Sequence, residues 1–315
     1  MVLRTVPTVA FPTVQDAIDA STSGDSIKIL AGTFDGFEVN VENLKIFGCG
    51  IGRTIIAGAP AQGSNNGVVV DADRTTLQGF TVQGFDQSGV ISLSSNNVLK
   101  EIESKLNNNG FFTGSNNTFL NCIASFNLIG FLSRGGSSCI ISCDSSQNSQ
   151  HGFDLTLTIA YKFISNTTKR NGLTGFRLLT SLGNLAVSNT LFANKVFKNG
   201  DDGIRLQTIP GGPTPTSNNN IIENVVCDNE DSGIRLFLFA SENVIDSNIV
   251  RNNGTANSDA GILIEDSAVD NTIRFNKAKN NFEFDIEAIP PADVNNTFDG
   301  NKCSNSFPPT GICDS

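Results

Sequence analysis

NGDDGIRL occupies Asn199–Leu206, and NEDSGIRL occupies Asn229–Leu236. Each copy sets an asparagine, a pair of small polar or acidic residues, a glycine and then Ile-Arg-Leu. The last three residues alternate apolar, charged, apolar, which is the period of a β-strand with one face buried. Other glycines introduce similar runs. Working outward, Gly67, Gly89, Gly110, Gly130, Gly152, Gly175, Gly203, Gly233 and Gly261 each precede apolar residues, at steps of 20 to 30 residues. A second phrase lies between the glycines: NNVL from Asn96, NNTFL from Asn116, NNII from Asn219, ENVI from Glu242, DNTI from Asp270 and NNTF from Asn295. A third closes an apolar pair on Asn, as in ENVVCDN from Glu223, DSNIVRN from Asp246 and RFNKAKN from Arg274.

Each period therefore holds three short strand-like runs separated by Asn, Gly and Ser turns. That pattern describes one coil of a parallel β-helix, an all-β solenoid in which equivalent positions stack on neighbouring coils. The expected organisation is an N-terminal cap over residues 1–26, about ten right-handed coils over 27–300, and a tail over 301–315. Within a coil, glycine is expected to turn the corner, Ile and Leu to point inward, and Arg to point outward. Asparagine suits the turns through its tolerance of left-handed backbone and its amide, which can bond the Asn of the next coil. Asn219, Asn243 and Asn271 form one such expected column. Replacing Asn243 with Ala is expected to cost about 1 kcal/mol.

Composition fits this picture. The chain has 315 residues with 38 Asn, 23 Phe, one His, one Tyr and no Trp. Its net charge is −10, which argues against nucleic acid or an anionic membrane as the main partner. No stretch reaches the ~18 apolar residues of a membrane helix, and the N-terminus lacks the apolar core of a Sec signal peptide. An extracellular, cell-surface or spore-surface location and end-to-end or lateral self-association are compatible expectations. Seven cysteines form no zinc-like spacing. Cys303 and Cys313 could pair, while Cys122 and Cys143 occupy near-equivalent positions and should stack as free thiols.

FPTVQDAIDAST, from Phe11, reads as a short amphipathic helix with Thr13 as N-cap and Val14, Ala17 and Ile18 on one face. GDSIKILAGTF and NLKIFGCG follow. This segment resembles the N-terminus of pectin-lyase-like right-handed β-helix proteins, whose members include lyases, hydrolases, epimerases, tailspikes and inert surface proteins. The resemblance implies the fold along nearly the whole chain. Polygalacturonase-like hydrolases carry Asn-Thr-Asp, Asp-Asp, Gly-His-Gly and Arg-Ile-Lys on successive coils. Here only the Asp-Asp is matched, by Asp201-Asp202, and the single His precedes it. Mannuronan epimerases carry Tyr-Gly-Phe-Asp-Pro-His; His151-Gly152-Phe153-Asp154-Leu155-Thr156 is similar in its Gly-Phe-Asp.

Counting from each glycine stacks residues into columns. Two positions after it stand Asp154, Arg177, Arg205, Arg235 and Leu263; two before it, Gln150, Leu173, Asp201, Asp231 and Asp259; one before it, His151, Thr174, Asp202, Ser232 and Ala260. Like charges about 5 Å apart repel by roughly 1–3 kcal/mol at effective dielectrics of ~80 to 20. Something must offset the rows of charge: mutual pairing, or bound ligands. The first reading gives a solvated face. The second gives a polysaccharide-binding groove. There Arg177, Arg205 and Arg235 hold an acidic sugar chain, Asp202, Asp201, Asp154 and His151 serve as acid or base, and Asp231 and Asp259 supply oxygens to a possible calcium ion. QTIPGGPTPTSNNN, LTSLGN and FLFASEN lengthen three neighbouring coils beside these columns. A non-enzymatic structural or self-assembling surface protein is the alternative.

Overall fold

The computed structural model describes residues 1–181, 185–209, 215–255 and 259–314. Much of LTSLGN and QTIPGGPTPTSNNN lies outside the described residues. FLFASEN is described, and turns through left-handed backbone at Leu238 (φ 42°) and Phe239 (φ 60°). The architecture is a right-handed parallel β-helix, and every strand pairing quoted below is parallel. The chain divides into two compact units, Met1–Asn148 and Ser149–Ser315.

In the first unit, Leu3–Val6 pairs with Ser26–Ile29, so the N-terminal segment supplies a rung of its own. The helix Val14–Asp19 closes this end, with Val14, Ala17 and Ile18 buried. Thr13 and Asp16 form a full capping box there, satisfying N–H groups that the first turn leaves open. Above it, Phe37, Val68, Val90, Phe111 and Phe131 stack in register along one sheet. The rings of Phe111 and Phe131 lie parallel, 4.7 Å apart.

Cys122 and Cys143 stack as free thiols; the backbone N–H of Cys122 donates to Cys143 Sγ at 3.3 Å. Burial comes first among the causes that push the Cys143 thiol well above its ordinary range. Native protein is expected to leave both cysteines unmodified by a thiol reagent over a time in which denatured protein reacts fully. Fast native labelling of either would contradict the register.

In the second unit, the strands Phe153–Ile159, Phe176–Thr180, Ile204–Thr208, Ile234–Phe237 and Ala260–Ile264 form consecutive rungs of one sheet. Phe153, Phe176, Ile204, Ile234 and Ile262 point inward and are fully buried. So do Leu155, Leu178, Leu206, Leu236 and Ile264. Each such side chain contributes roughly 1.5–3 kcal/mol relative to exposure. The intervening outward position reads Asp154, Arg177, Arg205, Arg235, Leu263, in the register that counting from glycine gives.

Two details differ from expectation. Gly203 and Gly233 do not turn a corner with positive φ; a Cβ on either would lie 2.6 Å from the carbonyl oxygen of the glycine one rung on. Close backbone approach excludes a side chain there. Nor are the ladder asparagines the left-handed residues. The residue before the ladder Asn is, as at Glu223 (φ 55°), Asp228 (φ 57°), Glu242 (φ 55°) and Ser247 (φ 56°), except at Asn296, which follows the short helix Ala292–Asn295. The Asn that follows bridges coils with its amide. Asn189, Asn219, Asn243, Asn271 and Asn296 make one ladder, Nδ2 donating to the next Oδ1 at 2.9–3.0 Å. Asn194, Asn224, Asn248, Asn276 and Asn301 make a second, and Asn171, Asn199, Asn229, Asn253 and Asn281 a third. In the tail, Cys303 and Cys313 form a disulfide, with Cα atoms 5.9 Å apart.

Candidate functional site

The outward row of the second unit is a paired row. Arg177 spans to the rung before it and grips Asp154 with two bonds, Nε to Oδ1 at 3.0 Å and a terminal nitrogen to Oδ2 at 2.6 Å. Arg205 turns back on its own coil and donates to both Asp202 and Asp201. Arg235 reaches Glu265, with Nε to Oε1 at 2.9 Å, and its guanidinium lies over the Phe237 ring at 4.7 Å. The three arginines thus share a column but take their acids from three different places. Each guanidinium is already engaged, and this is the mutual-pairing arrangement. Column counting did not find Glu265, which lies four residues after Gly261, beyond the columns aligned.

That choice of partners leaves Asp231 without an arginine. Asp201, Asp202 and Asp231 lie with carboxylate oxygens within 4.8 Å of one another, on the coils that begin NGDDG and NEDSG. Asp202 is fully buried; it accepts from Arg205 and from the backbone N–H of Ser232 at 3.0 Å. Burial drives its pKa up to about 6, against the opposing charges of Arg205 and Arg235. Asp201 keeps a small exposed edge and accepts from the Thr174 hydroxyl at 3.0 Å. Burial pushes Asp201 upward, but the Arg205 charge and hydrogen bonds from Asp231, the Asp202 backbone and Thr174 outweigh it and hold the group low. Asp231 is half-buried. Its burial, a hydrogen bond shared with Asp201, and the charges of Asp201, Asp202 and Asp259 push it up to about 7. Two adjacent carboxylates resist ionising together, so the pair favours one shared proton, with Asp231 the more basic member.

Thr174 appeared in the column one before glycine as a neutral position. Its hydroxyl is a further contact, beside Arg205, that Asp201 has and Asp231 lacks, and no charge pattern marks it. Asp259 stands outside the three-carboxylate group; its Oδ2 accepts from the backbone N–H of Thr255 at 3.2 Å. By spacing, the three carboxylates could hold a metal ion.

His151 is 5% exposed, and among the described residues its Nδ1 has no hydrogen-bond partner. Burial first, then the Arg177 charge, lower its pKa from 6.5 to about 4. It is therefore neutral at pH 7, and its stabilising contribution is present above about 6.5 and lost as pH falls through about 4. With one histidine in the chain, its imidazole proton resonance is unambiguous. Its NMR titration is expected to have a midpoint near 4; a midpoint near 6.5 would place the ring in solvent.

The sequence matches the family described as a right-handed beta helix region over residues 113–278, and the chain belongs to that family. No curated protein matches it in sequence. Among solved structures, the A-module of mannuronan C-5 epimerase AlgE6 from Azotobacter vinelandii is similar at a TM-score of 0.76 and 13% identity, covering 99% of this chain and 96% of that one. The Dettilon tailspike protein is similar at 0.77 and 14%, covering 99% of this chain and 68% of that one. Pectate lyase Pel9A is similar at 0.56 and 16%, covering 100% of this chain and 82% of that one. At these identities the likeness shows the shared fold. Among the described residues no helix is long and apolar enough to cross a membrane.

Proposed function

We propose that this chain binds and processes a polysaccharide on the outward face of its second unit, by proton transfer at Asp201 and Asp231. The observation that carries the reading is the cluster itself: three carboxylates within 4.8 Å, one of them with a pKa of about 7 beside one held low. A group titrating near the working pH can both give and take a proton, which is what general acid–base catalysis needs. Asp231, the more exposed member, donates its proton to the glycosidic oxygen. Asp201, held ionised by Arg205, keeps that proton on Asp231, and the proton released by the attacking water returns to the pair as the C–O bond breaks. Asp202 is a positioning residue, fixed by Arg205 and the Ser232 N–H. The hydrogen-bonded Asp201–Asp231 pair is closer than the ~5–5.5 Å or ~6.5–9.5 Å separations of two-carboxylate glycosidases, so the two act as one proton-sharing unit. Similar structures include enzymes named as an epimerase, a pectate lyase and a rhamnogalacturonan lyase, which supports polysaccharide as the substrate class.

A divalent cation fits the cluster less well. Calcium takes about 6–8 oxygens, and Arg205 already donates to two of the three carboxylates, placing fixed positive charge beside them. The tail disulfide favours an oxidising, extracellular or surface setting. The saturated guanidiniums favour one other reading, a structural or self-assembling surface protein. A panel of neutral and acidic polysaccharides separates the two, read both for new reducing ends and for unsaturated-uronate absorbance. New reducing ends with wild type are the expected result. Absence of any product from every glycan would favour the structural protein.

A further inference from the structure

A second sheet of the unit Ser149–Ser315 has a basic outward face. The strands Val225–Cys227, Ile249–Arg251 and Lys277–Lys279 are consecutive rungs there, and Lys302 bridges to Lys277 on the next. The register sets Lys277 beside Ile249 and Lys279 beside Arg251. Arg251, Lys277, Lys279 and Lys302 are all exposed. None of them makes an ion pair with a carboxylate among the described residues. This contrasts with the catalytic face, where every arginine of the row is paired. Lys277, Lys279 and Lys302 border a depression of about 450 Å³ that includes Ile249 and Ala278.

Rungs lie ~4.8 Å apart and same-face neighbours along a strand roughly 7 Å apart, so four like charges crowd onto three rungs. The chain as a whole is at −10, and solubility does not require a local positive cluster. We propose that this face holds a segment of an anionic polysaccharide, its carboxylates or sulfates against the four cations and its sugar faces against Ile249 and the aliphatic stems of the lysines. Lysines act as point charges on flexible stems, which tolerate the varying register of a repeating chain better than a fixed fork does. The aliphatic floor also separates this partner from a nucleic acid. Among the described residues no aromatic ring lines the depression to stack bases, and the acidic chain repels a polyphosphate at long range. The proposal takes from the preceding reading only the substrate class, and it narrows that class to acidic chains anchored away from the acid–base cluster.

Calorimetry at low salt tests it, using polygalacturonate fragments, neutral dextran and a single-stranded oligonucleotide. Wild type is expected to bind the polyuronate, with affinity falling as salt rises, and to ignore dextran. Lys277→Ser with Lys302→Ser is expected to weaken polyuronate binding by about tenfold or more, while Lys277→Arg with Lys302→Arg restores it. Both positions are exposed, and an unchanged unfolding midpoint certifies the fold. Asp231→Asn should retain full binding whether or not it retains turnover, so failure of the acid–base reading and failure of this one are distinguishable. Unchanged affinity in the serine variant, no wild-type binding, or tighter binding of the oligonucleotide would overturn the proposal.

Discussion

Asp231→Asn is expected to lower turnover of the polysaccharide substrate by about 10²–10⁴-fold, the usual contribution of a positioned general acid, while leaving the unfolding midpoint unchanged or raised. Asparagine keeps the size and can still donate to Asp201, but it has no proton to transfer. Loss of the carboxyl also removes the burial cost and the repulsion that together lift Asp231 to about 7. The sign of the stability effect follows from linkage. Asp231 and Asp202 have folded pKa values raised above the ordinary 3.8, to about 7 and about 6. Their contribution to stability is therefore fully present below about 3.8 and is lost as pH rises through 6 and 7. Wild type should lose stability across that window, and Asp231→Asn should lose less. Activity should fall above about pH 7 as Asp231 ionises. Turnover unchanged by the substitution would remove Asp231 from the chemistry.

Asn243→Ala is expected to destabilise the second unit by about 3–5 kcal/mol, well above the ~1 kcal/mol that turn preference and one lost bond imply. Asn243 is fully buried and serves three coils. It donates to Asn271 Oδ1 at 3.0 Å and to the Thr216 carbonyl at 2.9 Å. Its own oxygen accepts from both the backbone N–H and the side-chain amide of Asn219, each at 3.0 Å. Truncation leaves those donors and acceptors buried and unmade, and each orphan costs about 1–3 kcal/mol. Asn220→Ala is the control. That side chain lies on the outward, half-exposed side of its strand, and a surface change of this kind stays within about 0.5 kcal/mol. Equal denaturation midpoints for the two variants would contradict the ladder's role.

The repeat made the register legible. Ile-Arg-Leu alternates with period two, and counting from glycine placed Asp154, Arg177, Arg205 and Arg235 in one column, as the strand pairings do. The helix cap was readable for the same reason: Thr13 and Asp16 act locally. The reasons behind the repeat were less legible. Glycine at 203 and 233 answers to a carbonyl on another coil, which spacing within one coil does not reveal. At the corners, residues as unsuited to left-handed backbone as Glu223 and Phe275 adopt it, and the Asn after them supplies the compensation. Side-chain direction was the main loss at the site. A column fixes where a Cα stands, but Arg205 bends back along its own coil while Arg177 and Arg235 cross to other rungs in opposite senses. Which carboxylate stays unpaired, and so titrates near 7, depends on those three rotamer choices.

The proposed chemistry requires one proton to stay on the Asp201–Asp231 pair up to about pH 7. Infrared difference spectroscopy reads it directly, through the carbonyl stretch of a protonated carboxyl group followed between pH 4 and 9. Beyond a component lost near pH 6 from Asp202, a component that persists past pH 6, vanishes around 7 and is missing in Asp231→Asn is the predicted result. Loss of all protonated-carboxyl signal below pH 5, or an identical titration in Asp231→Asn, would contradict the account.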